Sequence, residues 1–114
     1  KGLDYLPVVF PGFSWHNLKG AELAAIPRLK GQFLWSQIVE AKRSGCEMIY
    51  VAMFDEVDEG TAIFKCTNNP PNANGTSFLT YEGLVSDFYL QLTGKAGELL
   101  RGELPLSNNL PIRN

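Results

Sequence analysis

Residues 48–61 read Met48-Ile49-Tyr50-Val51-Ala52-Met53-Phe54-Asp55-Glu56-Val57-Asp58-Glu59-Gly60-Thr61. The first seven are apolar, with β-branched and aromatic side chains among them. So short a run reads as a strand buried on both faces, as in a parallel sheet. Four carboxylates follow at once: Asp55, Glu56, Asp58 and Glu59. In parallel sheets and barrels, sites lie at the carboxyl ends of strands. Two carboxylates at such an end can do acid/base work on a sugar. The bland alternative is that they cap a helix or face water. A divalent cation is a third use of such oxygens. The calcium-loop pattern is absent, however, and no Cys or His pairs stand at zinc spacing. No metal and no cofactor are expected.

Upstream, the pattern from Gly31 to Arg43 is helical. Phe33, Leu34, Ile38 and Ala41 share one face, Gln32, Glu40, Lys42 and Arg43 point outward, and Gly45 is a stop signal. Trp35 on this helix reads as packing. Before it, Tyr5 to Phe10 reads as another buried strand, with Pro7 placed where no ladder donor is needed. Residues 19–28 are an irregular connection broken by Pro27. Strand, helix, strand is a βαβ unit, expected parallel and right-handed. The loop from Pro11 to Leu18 then shares one end of the sheet with the acidic segment. Trp15 there could stack on a sugar and His16 could hydrogen-bond a hydroxyl. Their bland alternatives are packing over the strand ends and an ordinary surface histidine. Asp55 reads as a loop anchor that accepts backbone hydrogens.

Downstream, residues 66–77 form a polar Asn/Pro loop of the kind that makes a surface lid, and Tyr81 and Glu82 are candidates to join it. Asn74-Gly75-Thr76 has glycosylation-sequon spacing, a short motif that also recurs by chance. Ser86 to Arg101 reads as a last helix with Ser86 as N-cap, weakened by Gly94 and Gly97. Residues 103–114 read as a loose tail. Cys46 and Cys66 flank the acidic strand from opposite ends and are expected as free thiols.

The chain has 114 residues, 45% hydrophobic and 19% charged, which suits one globular domain. A net charge of −2 without a basic patch argues against nucleic acid as a partner. No apolar stretch approaches the roughly 18 residues of a membrane helix, so no membrane is expected either. Two strands and two helices make a poor independent fold. The opening Lys1-Gly2-Leu3-Asp4 leads straight into a strand, as in a piece of a longer or a processed protein.

Four segments, Tyr5–Leu18, Phe33–Gly45, Met48–Cys66 and Tyr81–Gly102, together resemble the C-terminal part of (β/α)₈ glycoside hydrolases of families 71 and 99. They are most similar to bacterial proteins labelled family 99-like or xylosidase/arabinosidase. Family 99 enzymes carry Glu-Trp-His-Glu-Gly-Thr at the end of a late barrel strand. Here the stretch is Glu56-Val57-Asp58-Glu59-Gly60-Thr61, with Val57 and Asp58 in place of Trp and His. Pro11-Gly12-Phe13 resembles a Pro-Gly-Tyr turn near that family's sugar site. The resemblance implies an α/β fold that is the C-terminal portion of a (β/α)₈ TIM-type barrel, parallel strands with a crossover helix, residues 1–114 forming a single partial domain. It implies a carbohydrate substrate, with the remainder of the parent barrel as a partner, in a secreted or periplasmic setting. It implies that Glu56 helps the substrate's own 2-hydroxyl attack the anomeric carbon, while Glu59 serves as general acid and then base. Trp15, His16, Asp55 and Asp58 are the candidate substrate-binding residues. The alternatives are a non-catalytic carbohydrate-binding relative and a fragment inactive by itself.

Overall fold

A computed structural model describes residues 2–72 and 74–113. Strand β1 (Val8–Val9) pairs in parallel with β2 (Tyr50–Val51), in the register Val8 opposite Tyr50 and Val9 opposite Val51. The Tyr50 and Ala52 amides donate to the Pro7 and Val9 carbonyls, both at 2.9 Å. Between the strands lie a short helix α1 (His16–Lys19), a single 3₁₀ turn (Leu29–Gly31) and the crossover helix α2 (Gln32–Arg43). Helix α3 (Phe88–Leu100) follows late in the chain.

Helix α2 forms where its periodicity predicts, and buries Leu34, Trp35, Ile38, Val39 and Ala41. Helix α3 answers with Phe88, Tyr89, Leu92, Ala96 and Leu99. The helices meet closely at Gly31: with φ near +93°, a Cβ there would come within 2.6 Å of the Phe88 ring. Helix α3 begins at Phe88, two residues past the expected Ser86. Asp87 stands at the cap position and makes no side-chain capping bond. The glycines at 94 and 97 cost roughly 1 kcal/mol each against Ala. Complete burial of Leu92 and Leu99 outweighs that.

The strands depart from expectation in two respects, and the first is length: each is two residues long, where Tyr5 to Phe10 and Met48 to Phe54 were expected. They are also covered on one face, not two. Val9 is 3% exposed and joins the helical core, while Val8 is 60% and Tyr50 50% exposed. Alternation along each strand and the parallel register put Val8 and Tyr50 on the same open face. Helices shield one side, and among the described residues nothing shields the other. The radius of gyration is 14.9 Å and the extents are 49 × 32 × 18 Å. A compact domain of this length would have a radius near 13 Å, so the chain is a flattened slab.

The tail is docked, contrary to the loose segment expected. Leu104, Leu110 and Ile112 pack against the core. The Trp35 indole donates to the Ser107 carbonyl and the Gln32 amide to that of Asn108, both at 3.0 Å. Cys46 and Cys66 are free thiols. Among the described residues, no helix is long and apolar enough to cross a membrane.

Candidate functional site

Parallel pairing sends the loops after β1 and β2 to the same end of the sheet. They are joined there by backbone: the Ser14 amide donates to the Glu59 carbonyl at 2.7 Å. Side chains add to the join. The Trp15 indole Nε1 lies 3.4 Å from Glu59 Oε1. Asn17 donates from Nδ2 to Asp58 Oδ1 at 2.9 Å, and its Oδ1 accepts the Ser77 amide at 3.0 Å. Asn17 thus links the acidic loop to the Asn/Pro loop.

The acidic loop is wound tightly on itself. The Glu56 carbonyl accepts the Thr61 amide at 3.0 Å, and the Val57 carbonyl accepts that of Gly60 at 3.2 Å. Glu56 Oε1 accepts the Asp58 amide at 3.1 Å. Gly60 is required at its position: φ is +69°, and a Cβ would meet the Leu79 side chain at 2.6 Å. The loop then runs back beside the end of β2, the Met53 amide donating to the Thr61 carbonyl at 3.1 Å.

Trp15 is 42% exposed and is steadied by the Phe13 ring at 5.2 Å and the Lys19 ammonium 5.9 Å over its face. Its open face is the kind of platform a sugar ring stacks on. His16 Nδ1 lies 2.9 Å from the Ala21 carbonyl. A carbonyl only accepts, so Nδ1 carries a proton, and Nε2 is left for other partners. Asp55 is exposed, and no hydrogen bond holds its side chain among the described residues. The anchoring expected of it is supplied instead by Asp58 and Thr61, because Asp55 projects from the loop before the winding begins. Tyr81 and Glu82 are not lid residues. Tyr81 is 2% exposed within the core, and Glu82 Oε1 accepts the Lys30 amide at 2.7 Å. The Asn/Pro loop is itself pinned, since Asn68 bonds the Leu84 carbonyl and the Tyr81 and Gly83 amides. Beside the acidic loop, Val57, Cys66, Pro70, Pro71, Phe78 and Leu79 line an apolar recess of about 190 Å³. No cluster of three or more His, Cys, Asp or Glu among the described residues could hold a metal ion.

The residue that sequence reasoning missed is Arg28. It is 4% exposed, and its Nη2 donates to the Gly60 and Ala62 carbonyls at 3.0 and 2.6 Å. Its guanidinium stacks on the rings of Tyr81 and Tyr89, at 4.9 and 4.6 Å. Burial pushes both phenols above their ordinary pKa of 10.0, and the adjacent Arg28 charge opposes that rise. A lone Arg in an irregular connection gives no local signal of such a role.

No protein-family model matches this sequence, and no curated protein does. Solved structures do. One is the GH99 endo-α-mannosidase from Bacteroides thetaiotaomicron in complex with bis-tris-propane, with TM-score 0.76 and 25% identity over 88% of this chain and 31% of that one. A second structure of the GH99 endo-α-mannosidase from the same organism gives TM-score 0.76 and 24% identity, over 88% and 29%. The chain therefore has the fold of part of an α/β barrel, and spans under a third of the length of the enzymes it matches. Those neighbours are endo-α-mannosidases; the xylosidase/arabinosidase label of the sequence resemblance finds no support in them.

Proposed function

We propose that this chain carries the acid/base end of a glycoside hydrolase of the family 99 kind. The observation that carries the reading is the clasp at Glu59, the last acidic residue of the motif, where backbone from the first loop meets its main-chain carbonyl and the Trp15 indole meets its carboxylate. The motif stands at the carboxyl end of two parallel strands, where barrels keep their sites. Likeness to family 99 structures supports the same placement of function. In this reading Glu56 takes the proton of the substrate's 2-hydroxyl as that oxygen attacks the anomeric carbon. Glu59 gives its proton to the departing glycosidic oxygen. Glu59, now a carboxylate, then takes a proton from water as it opens the anhydro-sugar, and Glu56 returns its proton to the 2-oxygen. Both carboxyl groups end as they began.

Trp15 serves as a stacking platform in this scheme, and His16 Nε2 and Asp55 are the groups left to meet hydroxyls. Asp58 acts by holding the loop through Asn17. The open face of β1 and β2 is covered by the remainder of the parent barrel, which also completes the carbohydrate site. A second reading, a non-catalytic carbohydrate-binding relative, is favoured by Val57 and Asp58 standing where the family has Trp and His.

The test is turnover by the full-length protein with Glu59→Gln. The amide keeps the shape but cannot donate the proton, so hydrolysis should fall about 10²–10⁴-fold while sugar binding is kept. If Glu59→Gln turns over normally and Asp58→Asn does not, the acid has been misassigned. Sugar binding without turnover by the unaltered protein would favour the second reading.

A further inference from the structure

We infer that Arg28 is the positioning residue of the acidic loop, a role that rests on the reading of Glu59 as the acid. The two carbonyls it holds, those of Gly60 and Ala62, come one and three residues after Glu59 in the chain. The Glu59 carbonyl itself is held by the Ser14 amide. The carbonyls of Glu59, Gly60 and Ala62 are therefore all held, and the carboxyl group of the acid meets the Trp15 indole.

Why a buried cation should do this is the central question. The ion pairs found among the described residues, Arg43–Glu40, Lys95–Glu98 and Arg101–Glu103, all lie elsewhere. Arg28 Nε and Nη1 are buried without a hydrogen-bond partner. Taking a charge out of water without an opposite charge is expensive, and an apolar residue would fill the space at lower cost. What only Arg supplies is a rigid planar donor group that can be clamped by aromatic faces. Tyr81 and Tyr89 form that clamp, and the free energy of cation–π contact offsets part of the desolvation. Arg28 also touches the first loop, since a Cβ at Gly12 would fall 2.8 Å from its Cγ. One side chain thus sets the loop after β2 against the loop after β1.

The experiment uses the full-length protein with Arg28→Lys and, separately, Gly12→Ala. Lysine keeps the charge but is a flexible point donor. Gly12→Ala keeps the guanidinium and pushes its stem together with the Ile26 carbonyl, which the new Cβ would meet at 2.9 Å, so Arg28→Lys carries the direct test. Two quantities are read: exchange of the Ser14 amide hydrogen, with α2 amides as the folding control, and kcat and KM on an active substrate. In each folded variant Ser14 should exchange at least about tenfold faster while α2 stays protected. Misplacing a reacting group by about 1 Å can cost on the order of 100-fold, so kcat should fall about 10–100-fold with KM within about threefold. Wild-type Ser14 exchange together with wild-type kcat in either folded variant overturns the assignment. If the unaltered protein hydrolyses no glycoside, the reading of Glu59 has failed, and Ser14 exchange alone then decides whether Arg28 holds the loop.

Discussion

On the helix side Leu34, Ile38, Leu92 and Leu99 are wholly shielded from water, whereas on the strand side Val8, Tyr50 and Phe54 are 50–60% exposed. The residue types hardly differ; the partners do. Each helix finds an apolar face in the other and in the tail. Each strand finds one neighbour and one covered face. On the proposed reading, the open face of the strands is where the rest of a barrel packs, as on a segment of a barrel wall.

The comparison would break most visibly through the helices. Leu34→Ala empties a site with no exposure, and should lower unfolding free energy by about 2–5 kcal/mol in denaturant titrations of the full-length protein. A loss below that range would mean that the helical layer is looser than its burial implies. Alkaline pH attacks the same layer. Burial raises the Tyr81 and Tyr89 pKa values above the unfolded value of 10.0. Stability from keeping these phenols neutral is complete below pH 10 and declines as pH rises beyond it, because the unfolded chain releases protons first. Tyrosinate absorbance followed against denaturant should show this decline, and Tyr81→Phe should lessen it.

Smaller effects sharpen the contrast. Trp35→Phe removes the indole donor to Ser107, and should cost roughly 1 kcal/mol for the lost bond. Tyr50→Thr separates the two settings. In the 114-residue chain it should change stability by no more than about 0.5 kcal/mol, as at other exposed positions. In the full-length protein, where the strand face is to be covered, it should cost about as much as other losses of buried aromatic area, roughly 2 kcal/mol or more. Equal effects in both would show that the open face stays open.

What was legible in the sequence follows from range. Helix α2 announced itself through Leu34, Ile38 and Ala41 and through Gly45, all local signals. The parallel pair was legible because a crossover helix separates two apolar runs. The cap of α3 lies at Asp87, one residue past Ser86: Ser86 is chemically a good cap, yet its carbonyl is engaged by the Cys66 amide. The docking of the tail is not legible because Leu104, Leu110 and Ile112 are irregularly spaced among polar and proline residues, so no periodicity marks them as core. In the site, the acidic motif was visible as composition. Arg28 was not, because its partners lie 32 and 34 residues away and the rings that clamp it lie further still.

The docked tail bears on how this chain is made. Trp35 and Ser107 are separated by 72 residues, and Gln32 and Asn108 by 76. A ribosome delivers Trp35 long before its acceptor exists. During that interval the indole N–H and the apolar surface awaiting Leu110 and Ile112 face water or a chaperone. The helical layer therefore closes only once Ser107 has been made, and a polypeptide stalled short of it would emerge with its most finished side still open.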